Sequence, residues 1–178
     1  MRLLTCLFLA SIVAATATQI PQVSFEEVVH GSQQIVTGRV LRSWVAWGPT
    51  HEFLWTHYDV QVESVVKGNP GSTVTISEPG GVLDGRGMDI AGAVHYETGE
   101  HVMLFLNKTP VGYYRTVGWS QGKYQIGADG TVHATAGKAE TLVGEPGRRA
   151  GRTSIEGLSI SSARATVHSL VNKAAVSQ

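Results

Sequence analysis

Cysteine is almost missing from this chain: there is one, Cys6, in 178 residues. It lies in an apolar run, Leu3 to Ala14, that follows Met1-Arg2 and ends at Ala15-Thr16-Ala17. A short positive start, an apolar centre and small residues at the end form a secretory signal, so residues 1–17 are expected to be a signal peptide. The run is shorter than the ~20 residues a spanning helix needs, and no stable membrane anchor is expected after cleavage. Cys6 interrupts the apolar segment instead of following it, unlike a lipid-anchored cysteine. The expected mature chain, from about Thr18, therefore has no cysteine. That excludes disulfides, thiolate metal sites and cysteine nucleophiles, and leaves stability to the hydrophobic core. The expected location is secreted or periplasmic.

An excess of charge of either sign is also lacking. Fourteen basic residues balance fourteen acidic ones, with no long like-charge run, so nothing predicts binding to nucleic acid or to an anionic membrane. Signatures of catalysis are scarce as well. No serine sits in a Gly-x-Ser-x-Gly elbow; Trp119-Ser120-Gln121-Gly122 is not that pattern. Pro79-Gly80-Gly81 and Gly85 lack the lysine and helix of a phosphate loop. His51-Glu52-Phe53-Leu54-Trp55 begins like a zinc-protease helix, but position 55 is tryptophan where the second histidine should stand. No cofactor is expected.

What is present is mostly strand. Ser24-Phe25-Glu26-Glu27 has the capping-box form and predicts a short helix ending near Gly31, which would plug or brace the fold. From Gln34 the pattern changes: Ile35 to Trp47 is rich in β-branched and aromatic residues, and Gly38 inside it predicts a bulge. After the turn Gly48-Pro49-Thr50, Leu54, Thr56, Tyr58, Val60, Val62, Ser64 and Val66 alternate with Trp55, His57, Asp59, Gln61 and Glu63. The first set predicts a core face and the second a wet one. Lys67 to Gly71 is a turn signal and Thr73 to Ser77 a third strand, completing an antiparallel meander.

Pro79 to Ala93 is glycine-rich and reads as a long excursion with a short strand near Met88-Asp89-Ile90; loops of this length in a compact domain are often functional or mobile. Gly99 to Leu106 is the most strand-like run and is expected to be the central strand, buried by neighbours on both faces. A loop at Asn107 to Pro110 follows, then Gly112 to Val117, a last strand containing Gly122, and a hairpin at Ala128-Asp129-Gly130. The residues thus predict a mainly β fold, a small barrel over 18–136. Residues 137–160 read as a flexible glycine-rich linker. Residues 161–178 read as a C-terminal amphipathic helix, capped by Ser161-Ser162, with Ala163, Val167, Leu170, Val171 and Ala174 at helical spacing.

Two groups of residues are candidate sites. His57 and Asp59 share a strand face, and with His101 across a neighbouring strand they could ligate a metal, although the sequence fixes no further ligand and a row of solvated polar residues is the favoured reading. Asp84 with Asp89, and Glu97 with Glu100, read as loop charges and not as an acid–base pair. Trp44, Trp47 and Trp55 gather at the first hairpin, and Tyr113, Tyr114, Trp119 and Tyr124 at the last. Rings exposed together would form an interface anchor, since aromatics dominate binding hot spots. The candidate binding residues are Trp47, His51, Phe53 and Trp55 at the first hairpin tip, and Asp84 and Arg86 in the excursion.

The ordered series Ile35-Val36-Thr37-Gly38-Arg39-Val40, Val65-Val66-Lys67-Gly68, Pro79-Gly80-Gly81, Gly99 to Leu106 and Gln121-Gly122-Lys123-Tyr124 resembles a family of exported bacterial domains. These are similar in layout to the oligonucleotide/oligosaccharide-binding (OB) barrel of tissue inhibitors of metalloproteinases and netrin modules, and related segments precede matrixin-like zinc proteases. The resemblance spans about Gln34 to Ile126. It implies an OB-like antiparallel Greek-key barrel of about five strands, with Gly38 as a bulge and Gly68 and Gly80 as turns. The inhibitors place an N-terminal cysteine on the protease zinc; the expected mature chain has none, so that chemistry does not carry over. The expectation is an exported, non-enzymatic binding module with a protein partner, an exported metalloprotease among the candidates. A small-ligand or metal carrier and an enzyme of unrecognised type are the alternatives.

Overall fold

A computed structural model of the chain describes residues 19–135, 141–143 and 154–176. The expected signal peptide, residue 136 at the end of the expected barrel, and residues 137–140 and 144–153 of the expected linker lie outside the described residues. In chain order the elements are β1 (Gln19–Pro21), α1 (Phe25–Gly31), β2 (Gln34–Trp47), β3 (Leu54–Lys67), β4 (Thr73–Pro79), β5 (Gly81–Leu83), β6 (Arg86–Met88), β7 (His101–Lys108), β8 (Tyr114–Thr116), a 3-10 turn (Trp119–Gly122), β9 (Lys123–Ile126), β10 (Val132–Ala134), β11 (Thr141–Val143) and α2 (Ile160–Val176).

The fold is mainly β, and five strands close a ring in the order β7-β2-β3-β4-β8 and back to β7. All neighbours in the ring are antiparallel except β4 and β8, which are parallel. This is the OB-like Greek-key barrel. Gly38 supplies its sharpest bend. The β2–β3 register slips between Thr37 and Gly38, and a Cβ at Gly38 would collide with the Gln61 carbonyl oxygen. Only glycine lets the two backbones approach so closely.

Strand β7 is buried on both faces, as its unbroken apolar run predicts. Val102, Leu104 and Leu106 point into the barrel beside Val36, Val40, Tyr58, Val60, Val74 and Ile76. Met103 and Phe105 point outward against α1 and α2. Phe25 meets Phe105 edge-on at 5.5 Å, Tyr124 meets Phe105 at 5.7 Å, and Ala163 and Val167 of α2 complete the layer. Helix α1 therefore braces the barrel from outside. The capping box is formed: the Glu27 amide donates to the Ser24 hydroxyl, and the Ser24 amide donates to the Glu27 carboxylate at 2.8 Å. The barrel interior is instead closed by Val94 and Tyr96, from the segment between the excursion and β7.

Several details depart from the sequence reading. Gly122 ends a 3-10 turn and does not lie within a strand, because the chain leaves β8 and rejoins the same edge of β7 as β9. The excursion contains a true hairpin, β5–β6, turning at Asp84 and Gly85, both with positive φ. That backbone suits the Asp-Gly pair. Helix α2 begins at Ile160, with the Ser159 hydroxyl accepting the Ser162 amide, so the cap lies ahead of Ser161-Ser162. Just before it, Ile155 is fully buried in the outer core and Thr131 bridges to Ser159, so residues 154–159 pack as part of the domain. Glu100 is also no solvated loop charge: it forms a buried ion pair with Lys123 at 2.8 Å, and the Lys123 ammonium lies 4.5 Å above the Tyr96 ring.

Candidate functional site

Beyond Val40, where the register slips again, β2 runs on past the end of β7 paired only with β3, and this part of the hairpin forms an arm whose β3 strand stays laddered to β4 from Trp55 to Gln61. Its cross-strand pairs put Arg42 beside Asp59, Trp44 beside His57, Val45 beside Thr56, Ala46 beside Trp55 and Trp47 beside Leu54. Alternation gives the arm two faces. The face bearing Val45 and Thr56 carries the β5–β6 hairpin: a Cβ at Gly81 would stand 2.7 Å from the Thr56 hydroxyl and 2.9 Å from Val45, and Thr56 donates a hydrogen bond to the Gly80 carbonyl at 2.8 Å. Glycine at 80 and 81 lets the two hairpins lie in contact, which joins the first hairpin tip to the excursion as one projecting unit.

At the tip, His51 adopts a positive φ and stacks on Trp47 at 6.4 Å, while Phe53 is half exposed. Asp84 and Arg86 are exposed on the smaller hairpin, and Val82 beside them is 69% exposed. Trp55 is only partly buried, edge-on to Tyr113 at 5.2 Å. The binding candidates Trp47, His51, Phe53, Trp55, Asp84 and Arg86 thus lie on two hairpins that touch. The sequence reading grouped Trp44, 37% exposed, with the rings of the first hairpin but did not include Val82. An isolated valine in a glycine-rich segment carries no signal of its own.

The opposite face of the arm holds His57, which the strand alternation placed in water. The structure buries it to 7% exposure, because Tyr113, from the loop after β7, folds back over the arm. His57 stacks on Trp44 at 5.1 Å, meets Tyr113 edge-on at 5.4 Å, and shares a 2.7 Å hydrogen bond between Nδ1 and the Ser77 hydroxyl. Burial pushes its pKa below the ordinary 6.5, against the pull of Asp59, so the ring is held neutral. Burial raises the Asp59 carboxyl, but hydrogen bonds from Thr75 (2.7 Å) and Arg42 (2.8 Å) outweigh it and hold the group below its usual range. His101 lies elsewhere, its Nε2 2.9 Å from Glu63, which also pairs with Arg39. His57, Asp59 and His101 therefore have three separate sets of partners and do not converge. Among the described residues no group of three His, Cys, Asp or Glu side chains is placed to hold a metal ion.

Where β4 and β8 close the ring, they share one bridge, Ile76 to Tyr114. Past it the strands part, and the Glu78 side chain fills the gap. One carboxylate oxygen accepts the Thr116 amide at 2.9 Å; the other accepts both Nε and a terminal nitrogen of Arg115 at 3.1 Å. Glu78 is 1% exposed, and burial pushes its carboxyl up while Arg115 and the Thr116 amide pull it down. The Arg115 guanidinium in turn lies 5.0 Å from the Trp119 ring and 5.9 Å from the Trp55 ring. Trp119 itself has a positive φ, as does Gly118 before it. Beside this cluster is an open groove of about 500 Å³ between Pro21 and Val23 on one side and the β7–β8 hairpin on the other.

No protein-family model matches this chain, and no curated protein matches it. The functional reading rests on the residues themselves.

Proposed function

We propose that the protein is an exported, non-enzymatic binding module whose barrel holds out two joined hairpins to a protein partner. The observation that carries this reading is the contact of Gly80 and Gly81 with Val45 and Thr56, which unites the first hairpin tip with β5–β6. The unit exposes Phe53 on the first hairpin and Val82, with Asp84 and Arg86, on the second. Exposed apolar groups with charged neighbours suit an interface. The resemblance of the barrel layout to metalloproteinase inhibitors makes an exported metalloprotease the first partner to try, reached through these hairpins and not through a cysteine. Export follows from the N-terminal signal.

Affinity capture from the exported fraction of the source cells, quantified against a Phe53→Ser/Val82→Ser double variant, tests the proposal. One stoichiometric partner is expected with the native protein, lost with the variant, and its proteolytic activity is to be assayed with and without added protein. Equal recovery by both proteins would move the interface off the hairpins, and a compact protein that recovers no partner would remove the proposal.

A further inference from the structure

We propose that the groove beside Arg115 is a binding site for the carboxylate of an apolar residue or acid. The argument begins with the hydrogen bonds Arg115 makes and those it leaves. A guanidinium has five N–H donors in a planar fork. Arg115 directs its Nε and one terminal nitrogen to the same oxygen of Glu78, both at 3.1 Å, which uses the side edge of the fork. Of the three remaining N–H groups, two form the end edge between the terminal nitrogens, and none has a hydrogen-bond partner among the described residues. That edge matches a carboxylate in bidentate geometry.

The group is also held still. Trp119 at 5.0 Å and Trp55 at 5.9 Å fix the plane, and Glu78, buried at its side, fixes the tilt. A receptor that needs no reorganisation loses little entropy on binding. Arg115 is one-quarter exposed, and the surface it reaches is the groove. Glu78 already neutralises Arg115, so the hold on a carboxylate comes from the geometry of the free N–H groups, while the Lys108 ammonium lies over the Tyr114 ring on the other face of the β7–β8 ladder. Among the described residues no aspartate or glutamate lines the groove.

The remaining walls set the rest of the ligand. Pro21, Val23, Pro110 and Val117 are apolar, and about 500 Å³ accommodates a small organic body. The wall carrying Pro21 and Val23 is anchored by the side chain of Gln121, whose oxygen accepts the Val23 amide and whose nitrogen donates to the Pro21 carbonyl, both at 2.9 Å. A phosphate would find N–H donors here but no use for these apolar walls. A free aliphatic or aromatic acid and the C-terminal residue of a peptide share the required chemistry. The site does not depend on the hairpin interface proposed above.

The test uses the purified protein with N-acetyl-leucine, N-acetyl-leucinamide, and a pentapeptide ending in leucine with a free or amidated terminus. Binding is followed by calorimetry and by the Trp119 indole N–H in a two-dimensional NMR spectrum. Both acids are expected to saturate and to shift Trp119, and both amides to bind about tenfold or more weakly. Pro110→Glu, at an exposed rim position, should weaken the acids several-fold and leave the melting temperature unchanged. Tighter binding of the peptide acid than of N-acetyl-leucine assigns the groove to chain ends, and equal binding to free acids. Equal affinity for acid and amide, or no shift of Trp119 up to about 10 mM ligand, the weak limit for molecules of this size, overturns the proposal.

Discussion

Aromatic rings gather on two sides of this barrel and are held in opposite ways. Behind β7, Phe25, Phe105 and Tyr124 meet edge to edge under α1 and α2, surrounded by valine, isoleucine and alanine. On the arm and seam, Trp44, Trp55, Tyr113 and Trp119 are interleaved with Arg42, His57 and Arg115 and keep part of their surface in water. The first cluster is a packed layer whose rings contribute through area removed from water. The second holds the guanidinium groups of Arg42 and Arg115 in place while leaving them accessible. Rings that touch only carbon point to a core, and rings that alternate with guanidinium and imidazole point to a surface built for contact.

The largest effect that separates the two clusters should come from Phe105→Ala, which opens a cavity under both helices. A loss of about 3–5 kcal/mol is expected in urea unfolding, with ligand contacts at the groove unchanged in the folded fraction. A loss near 1 kcal/mol would mean that the helices collapse onto the gap and that the layer is softer than it looks. Next in size is Arg115→Ala, which strands the buried Glu78 carboxylate and should cost about 3 kcal/mol. Arg115→Ala combined with Glu78→Gln should recover part of this, and a double variant no more stable than the single one would show that the seam depends on packing and not on the ion pair.

The smallest effect is a pH dependence confined to the arm. His57 is buried with its pKa depressed below 6.5, so below that pH the unfolded chain takes up a proton that the folded chain resists. The sign is therefore fixed: the contribution of this residue is complete above about pH 6.5 and is lost as pH falls toward the folded value. Urea midpoints measured from pH 7.5 down to 5.5 should drop less steeply in His57→Asn than in the native protein. Parallel slopes would assign the acid sensitivity to another group.

Local pattern made much of the frame legible. The capping box at Ser24 to Glu27, the bend at Gly38 and the doubly buried β7 each follow from a few neighbouring residues whose chemistry allows little else. The alternation along β3 was also readable as far as which residues share a face. It could not say what covers that face, and His57 was misplaced because Tyr113, 56 positions away, settles the matter. Glu100 was misread for the same reason, since Lys123 approaches from another strand. The hairpin candidates came from composition, and their contact depends on Gly81 against Val45, a long-range approach that no local period encodes. The groove was invisible for a like reason, because Arg115 is unremarkable until Glu78 and the two indoles surround it.

The single bridge between β4 and β8 has a consequence for how the molecule breathes. Along the regular ladders of the ring amides are tied to neighbouring carbonyls, and exchange with solvent requires several such bonds to open together. At the seam the Thr116 amide is tied to a side chain instead, the Glu78 carboxylate. Turning that one side chain frees the amide without moving a strand. In deuterium exchange, Thr116 should lose its proton sooner than Leu104 or Val60, marking the stave at which the cask opens first.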